Sequence, residues 1–467
     1  MESSEVEELF RRRPPLDGMP VLLDDQMRPV EPVSSWFRSL ALAERDEATM
    51  RAYAYAVLRL MEFLRNRGSD LLTATETDLL EFRHWRTQAQ DDPIQRVTWE
   101  KEAAAINGLY GWLVDRGQLQ RRPWRLSGRR DTLRNGVSRD VKVRHLTLEQ
   151  YLYFRDVGLG GQTSQAALDV SFRGWSPHRN RAGAELALLT GMRLQEWSTV
   201  LLPELGIDIT RPGEPVEFRL AACAKFGRPR MVHIPADALS MISTYLMLER
   251  REIVDKAQKT LKGRRDELFV VDRIAQERGR LHGVLDGRRV ARSIAEMPPG
   301  LRGNTVLDTG EGLEPLAVFL GRGGRMLLSS SWDKIRWGAW TRMRDHAAHC
   351  DAPMLPGTRW LFHDLRHTFA LRLLIYLTRE AMADGASGEL PMSTLLDHMT
   401  YNPLLIVQRR LGHASPTSTY RYVKYLKDPM REVDEAFRGW TAAGGASYAE
   451  IARTLLSLDG DDGATQG

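Results

Sequence analysis

The chain has 467 residues, 42% apolar and 27% charged, with 66 Lys and Arg against 61 Asp and Glu and a net charge of +5. That length exceeds a single core and implies two or three domains of ordinary globular composition, while the small basic excess admits a polyanionic partner without requiring one. Two cysteines, Cys223 and Cys350, exclude a disulfide framework, and with no apolar run of ~18–20 residues to span a membrane and an acidic start unlike a secretory signal, a cytoplasmic protein is expected.

Residues 1–31, with Arg11-Arg12-Arg13-Pro14-Pro15, read as an N-terminal arm. Residues 32–126 turn helical. Asp46-Glu47-Ala48-Thr49 opens a segment with Tyr53, Tyr55, Leu58, Leu60, Met61 and Leu64 at helical spacing, stopping near Arg67-Gly68. Thr75-Glu76-Thr77-Asp78 precedes Leu79, Leu80, Phe82 and Trp85. A third helix runs from Thr98 through Ile106, Leu109 and Trp112 to Leu113. Short helices with short connections predict a bundle. Residues 121–144 then carry nine Lys or Arg against two Asp, and 127–145 read as a basic linker.

Residues 146–440 form the larger domain. Helices are expected over Arg181–Thr190, ended by Gly191, over Arg193–Leu202, and over Trp332–His346. Val216–Ala222 and Arg230–Ile234 read as strands around Lys225-Phe226-Gly227-Arg228, a hairpin. Residues 256–330 carry no readable period. In the tail, 441–467, Ser447-Tyr448-Ala449-Glu450 is a capping box leading into Ile451, Leu455 and Leu458, a short helix that must dock elsewhere. The expected fold class is mainly α (α+β): an N-terminal helical bundle plus a larger α-rich domain with a small antiparallel β-sheet.

Three segments carry chemistry: Thr190-Gly191-Met192-Arg193-Leu194-Gln195-Glu196, His363-Asp364-Leu365-Arg366-His367, and Arg409-Arg410-Leu411-Gly412-His413 followed by Tyr420-Arg421-Tyr422. Attack on a phosphodiester places negative charge on the non-bridging oxygens. Fixed cationic donors there are the largest catalytic contribution, and arginine's planar fork suits two oxygens. Arg193 and Arg366 are the candidates. His363 and Arg366, three apart, share a helix face. His413 follows a glycine that permits close backbone approach. Tyr422 is the candidate nucleophile, and Lys225, at the hairpin tip, the general acid. No metal or cofactor is needed. His346, His349 and Cys350 form one short cluster without the second half of a metal site.

These four pieces, in this order, resemble the tyrosine recombinase (phage integrase) family over roughly residues 35–440. The resemblance implies a core-binding, SAM-like domain at 32–126 and a catalytic domain at 146–440, clamping double-stranded DNA. Arg193 and Arg366 would hold the scissile phosphate with His363 beside them, as acid/base or phosphate ligand. Lys225 would protonate the departing 5′ hydroxyl, and His413 would hydrogen-bond the phosphate. Tyr422 would attack, leaving a 3′-phosphotyrosyl link; its nine-residue offset from His413 singles it out from Tyr420 and Tyr425. Glu196 would buttress Arg193. The family further implies four protomers on two DNA sites, integration or excision of a mobile element, an accessory factor or second recombinase, and a bacterial, DNA-associated location. Two rivals stay open: a type IB topoisomerase acting as a monomer, and a non-catalytic sequence-specific DNA-binding protein on the same scaffold. The stretches 256–330 and Glu380–Asn402 are extra to a minimal member.

Overall fold

The computed structural model describes residues 16, 18–124, 126–127, 130–131, 133, 144–206, 214–224, 227–349, 352–357, 359–385, 402–413 and 415–423. The chain divides into two compact units, 1–140 and 141–467. Lys225, Cys350, Tyr425, the expected tail helix around Ile451, most of the basic linker and residues 386–401 lie outside the described residues.

The first unit is a helical bundle: α1 Val33–Leu42, α2 Glu47–Arg65, α3 Glu76–His84 and α4 Arg96–Asp115. Its starts follow the sequence signals. Asp46 accepts from the Thr49 amide at 3.0 Å, and Thr75 with Asp78 closes a capping box. The apolar faces meet in one core that includes Trp36, Phe37, Val57, Leu60, Leu64, Leu79, Phe82, Trp99, Ile106 and Leu109. Arg86, just past α3, makes a two-pronged ion pair with Glu102 of α4, at 3.0 and 2.6 Å. Removing either partner of such a buried pair costs about 3–5 kcal/mol. Met19 and Leu22, in the expected arm, pack against this core, and the Trp99 indole donates to the Leu133 carbonyl at 2.9 Å.

The second unit is built around α6, Pro177–Thr190, which follows α5 (Leu148–Leu152) and a continuation to Leu159. Small residues at Ala182, Gly183, Ala184 and Ala187 make α6 a helix that neighbours can approach on several sides. Gly191, at φ +62°, ends it. A turn leads to α7, Leu194–Ser198, which is shorter than the expected Arg193–Leu202: Pro203 supports a 3₁₀ turn at Leu202–Leu205 instead. The expected hairpin is present as β1 Val216–Leu220 and β2 Arg230–Ile234, antiparallel with Phe218 opposite Val232. Helices α8 (Ala236–Tyr245) and α9 (Arg251–Gly263) follow.

The stretch without a readable period contains a sheet. Strands β3 Phe269–Ala275, β4 Arg280–Leu285, β5 Arg288–Ser293, β6 Thr305–Asp308 and β7 Leu313–Pro315 pair in the order β5-β4-β3-β6-β7, with only β3 and β6 parallel. Arg302, fully buried, ties this insertion to the chain after α7 by gripping Glu204 at 2.6 and 2.8 Å. The mainly α (α+β) class holds, with more strand than the hairpin alone.

Four elements then close the unit: α10 Ser329–Ala347, α11 Phe362–Gly385, α12 Pro403–Leu411 and α13 Thr417–Tyr420. Trp197 of α7, Trp332 of α10 and Phe362 of α11 meet edge-to-face, with centroids 4.6 to 5.8 Å apart. Aromatic rings of this kind bury roughly 150–250 Å² each, about 4–6 kcal/mol of gross hydrophobic stabilisation at the usual coefficient. Trp197 lies one helical turn beyond Arg193, and Phe362 one turn before Arg366. The cluster therefore fixes the elements that carry both arginines.

Candidate active site

Arg366 is buried to 1% exposure on α11. Its two terminal nitrogens donate to the carbonyls of Gly191 and Leu411, the ends of α6 and α12. It has no carboxylate partner in hydrogen-bond contact among the described residues. Burial, then the charges of Arg193 and Arg230, push its pKa down to about 9. A buried guanidinium repelled by two others marks a place short of negative charge.

Arg193 caps the start of α7. Its amide donates to Glu196 Oε2 at 2.7 Å, and its guanidinium to Oε1 at 2.9 Å. Glu196, 1% exposed, is also gripped by both terminal nitrogens of Arg230 from β2. Burial raises the carboxyl, but hydrogen bonds and charge from Arg230, with Arg193 adding to both, hold it down to about 2. The expected Glu196–Arg193 pair is therefore present. Arg230 is a third cation that the motif reading passed over. The signal was there: along β2, Arg230, Val232 and Ile234 alternate with the outward-facing Met231.

The glycine before His413 does what its position suggested. Gly412 ends α12 at φ +62°, and a Cβ there would fall 2.9 Å from the Arg230 side chain. His413 accepts from or donates to the Thr419 hydroxyl through Nδ1 at 2.9 Å, and its ring lies parallel to that of Tyr422, 6.4 Å between centroids. Burial and the surrounding Arg366, Arg193 and Arg421 charges lower its pKa to about 3, so it is neutral.

Tyr422 is 1% exposed, packed on Ala370, Leu374, Val407 and Leu411. Its hydroxyl lies 2.8 Å from Nδ1 of His367. Burial raises its pKa, with Arg366, Arg421 and Arg193 opposing. Tyr420, by contrast, is 58% exposed. His363 sits on the exposed side of α11, edge-on to His367 at 4.6 Å between centroids. His367, quoted in the motif but given no role there, is the second residue the sequence reading missed; its i+4 spacing from His363 was the available clue.

The structure thus brings together Arg193, Arg366, His363, His413 and Tyr422, and adds Arg230 and His367. Lys225, which falls between β1 and β2 in the sequence, lies outside the described residues. The cluster expected to hold no metal is partly visible: His346 pairs with the Tyr153 hydroxyl at 3.0 Å. No helix among the described residues is long and apolar enough to cross a membrane.

Residues 33–117 match the family model of the phage integrase N-terminal SAM-like domain. They span the whole of the first unit's helical bundle, a region that contributes none of the motifs above. The resemblance to tyrosine recombinases therefore rests on two separate parts of the chain. No curated protein matches the sequence. Among solved structures, the chain is similar to XerH site-specific recombinase bound to palindromic difH substrate, at 17% identity over 85% of this chain and 81% of that one, TM-score 0.47. It is also similar to the Tn1549 transposon integrase in complex with circular intermediate DNA, at 12% identity over 83% and 93%, TM-score 0.45. A lambda integrase dimer bound to a COC′ core site matches at 15% identity over 83% and 94%, TM-score 0.40.

Proposed function

We propose that this chain, similar to the tyrosine recombinases, is a site-specific DNA recombinase that cuts and rejoins strands through Tyr422 and serves the integration or excision of a mobile element. The observation that carries the proposal is the meeting of a buried phenol with three guanidinium groups, of which Arg193 and Arg230 share the one carboxylate of Glu196 while Arg366 is held, among the described residues, only by backbone carbonyls. One phosphodiester anion would offset part of the excess positive charge. It would accept hydrogen bonds from Arg193 and Arg366, with His413 and His363 at its edge. Attack by the Tyr422 oxygen then leaves a 3′-phosphotyrosyl bond, and Lys225 protonates the 5′ oxygen that departs. Because the phosphotyrosyl bond keeps the energy of the phosphodiester, rejoining needs neither a metal nor ATP. In this reading the partner is double-stranded DNA, held by four copies on two sites, in the cytoplasm.

A duplex nicked near the cleavage point traps the intermediate by releasing the short strand. Wild type should become covalently attached to such DNA. Tyr422→Phe should bind the duplex and fail to attach, while Tyr420→Phe should attach as wild type does. Attachment by Tyr422→Phe would assign the nucleophile elsewhere. Binding without attachment by the wild type would favour the non-catalytic DNA-binding reading.

A further inference from the structure

We propose that His367, rather than His363 or His413, is the proton acceptor of Tyr422: it holds the phenol through Nδ1 and takes its proton as the bond from Oη to phosphorus forms. The inference deepens the recombinase reading and rests on it.

The contact comes first. Nδ1 of His367 is 2.8 Å from the Tyr422 hydroxyl, and the two residues are 8% and 1% exposed. His413 does not compete, since its Nδ1 is engaged by Thr419 and its ring is parallel to the phenol rather than pointed at the hydroxyl. The ring of His363 lies edge-on to that of His367. A buried phenol needs an acceptor for its proton. With Nδ1 as a lone pair, His367 supplies one; the other tautomer would turn the phenol into the acceptor and leave its proton unplaced.

The charges around the imidazole explain why the contact stays unreactive without DNA. Burial acts first on His367, and then His363 and Arg366 from its own helix, Arg421 from the terminal segment and His413 from the end of α12, to hold it neutral with a pKa of about 3. Burial also raises the phenol. Proton transfer between them is therefore strongly uphill in the free protein. A phosphodiester seated against Arg193 and Arg366 cancels part of the positive field that suppresses the imidazole. Substrate would thus switch on the base that activates its own attacker.

The step balances. The Oη–P bond forms and the P–O5′ bond breaks. The phenolic proton moves to His367 Nδ1, and the proton for O5′ comes separately from Lys225. In rejoining, the 5′ hydroxyl attacks phosphorus and gives its proton to Lys225, while Tyr422 recovers its own from His367.

The test is single-turnover attachment of the full-length protein to nicked duplex from pH 5.5 to 9. A second substrate carries a 5′-bridging phosphorothiolate, whose thiolate leaves without a proton. His367→Asn places an amide oxygen near the Nδ1 position, so it can hold the phenol but cannot carry its proton. Attachment should fall about 10²–10³-fold, within the usual range for loss of an acid–base group. DNA affinity and melting temperature should stay close to wild type, and the acid limb of the rate profile should flatten. The phosphorothiolate should rescue Lys225→Ala and leave His367→Asn slow. Two results would overturn the assignment alone: His367→Asn reacting within about fivefold of wild type, or its rate being restored by the phosphorothiolate. A wild type that attaches to neither substrate would overturn the recombinase reading itself.

Discussion

Gly412 and Arg230 occupy one space: a Cβ on the glycine would meet the arginine's Cδ at 2.9 Å and its guanidinium nitrogens at 3.3 and 3.4 Å. The end of α12, next to His413, is thereby set against the cation that braces Glu196. Gly412→Ala would place a side chain at a left-handed position, costing about 1–2 kcal/mol, and would push Arg230 off Glu196. Urea denaturation should show that loss of stability. Attachment to nicked DNA should fall by roughly 10–100-fold, as expected when a catalytic group is displaced by about an ångström.

Glu196 is the shared counter-charge of Arg193 and Arg230, so Glu196→Gln leaves two cations facing each other. A loss of about 3–5 kcal/mol is expected from breaking a buried pair. The pH dependence follows from its depressed pKa of about 2. The unfolded chain binds a proton near the ordinary carboxylate value while the folded one does not. Its contribution is therefore complete above about pH 4.5 and lost as pH falls toward 2. Acid titration monitored by far-UV circular dichroism should show this component in the wild type and not in Glu196→Gln.

His367 and His413 act at higher pH. Both have folded-state pKa values pushed down to about 3, from burial first and nearby cations second. Below about pH 6.5 the unfolded chain takes up protons that the folded chain refuses, so stability falls as pH drops from there. Each histidine can contribute up to about 1.4 kcal/mol per pH unit. Urea midpoints at pH 7 and pH 5 should differ clearly in the wild type. The difference should shrink by about half in His413→Asn.

Gly183 lies under the aromatic cluster, where a Cβ would meet Trp332 at 2.8 Å and Trp197 at 3.0 Å. Alanine is the better helix former by about 1 kcal/mol, yet both indoles are fully buried and have no room to move. Overpacking should prevail at about 1–3 kcal/mol. A lower melting temperature for Gly183→Ala would show it, and an unchanged one would mean that the cluster yields.

Much of this organisation was readable before any coordinates. The bundle helices follow their caps and apolar spacing because α2, α3 and α4 each present one stripe to a common core. The Gly191 and Gly412 breaks were readable because both residues take positive φ where a side chain would be strained. Arg193, Arg366 and Tyr422 stood out through motif context. The five-stranded sheet did not, because β5, Arg288-Arg289-Val290-Ala291-Arg292-Ser293, is an edge strand with three arginines exposed and no strong alternation. Arg230 and His367 were missed for another reason. Their importance lies in what they touch, Glu196 and Tyr422, which are 34 and 55 positions away along the chain.

The two carbonyls that hold Arg366 come from Gly191 and Leu411, 175 positions before it and 45 after. A polypeptide still emerging from the ribosome, or cut short ahead of residue 411, lacks the second anchor as well as the phenol. If the chain has the proposed strand-breaking activity, it would arise only when synthesis has passed the final element of the pocket. Under the proposed reading, such fragments would carry no strand-breaking activity.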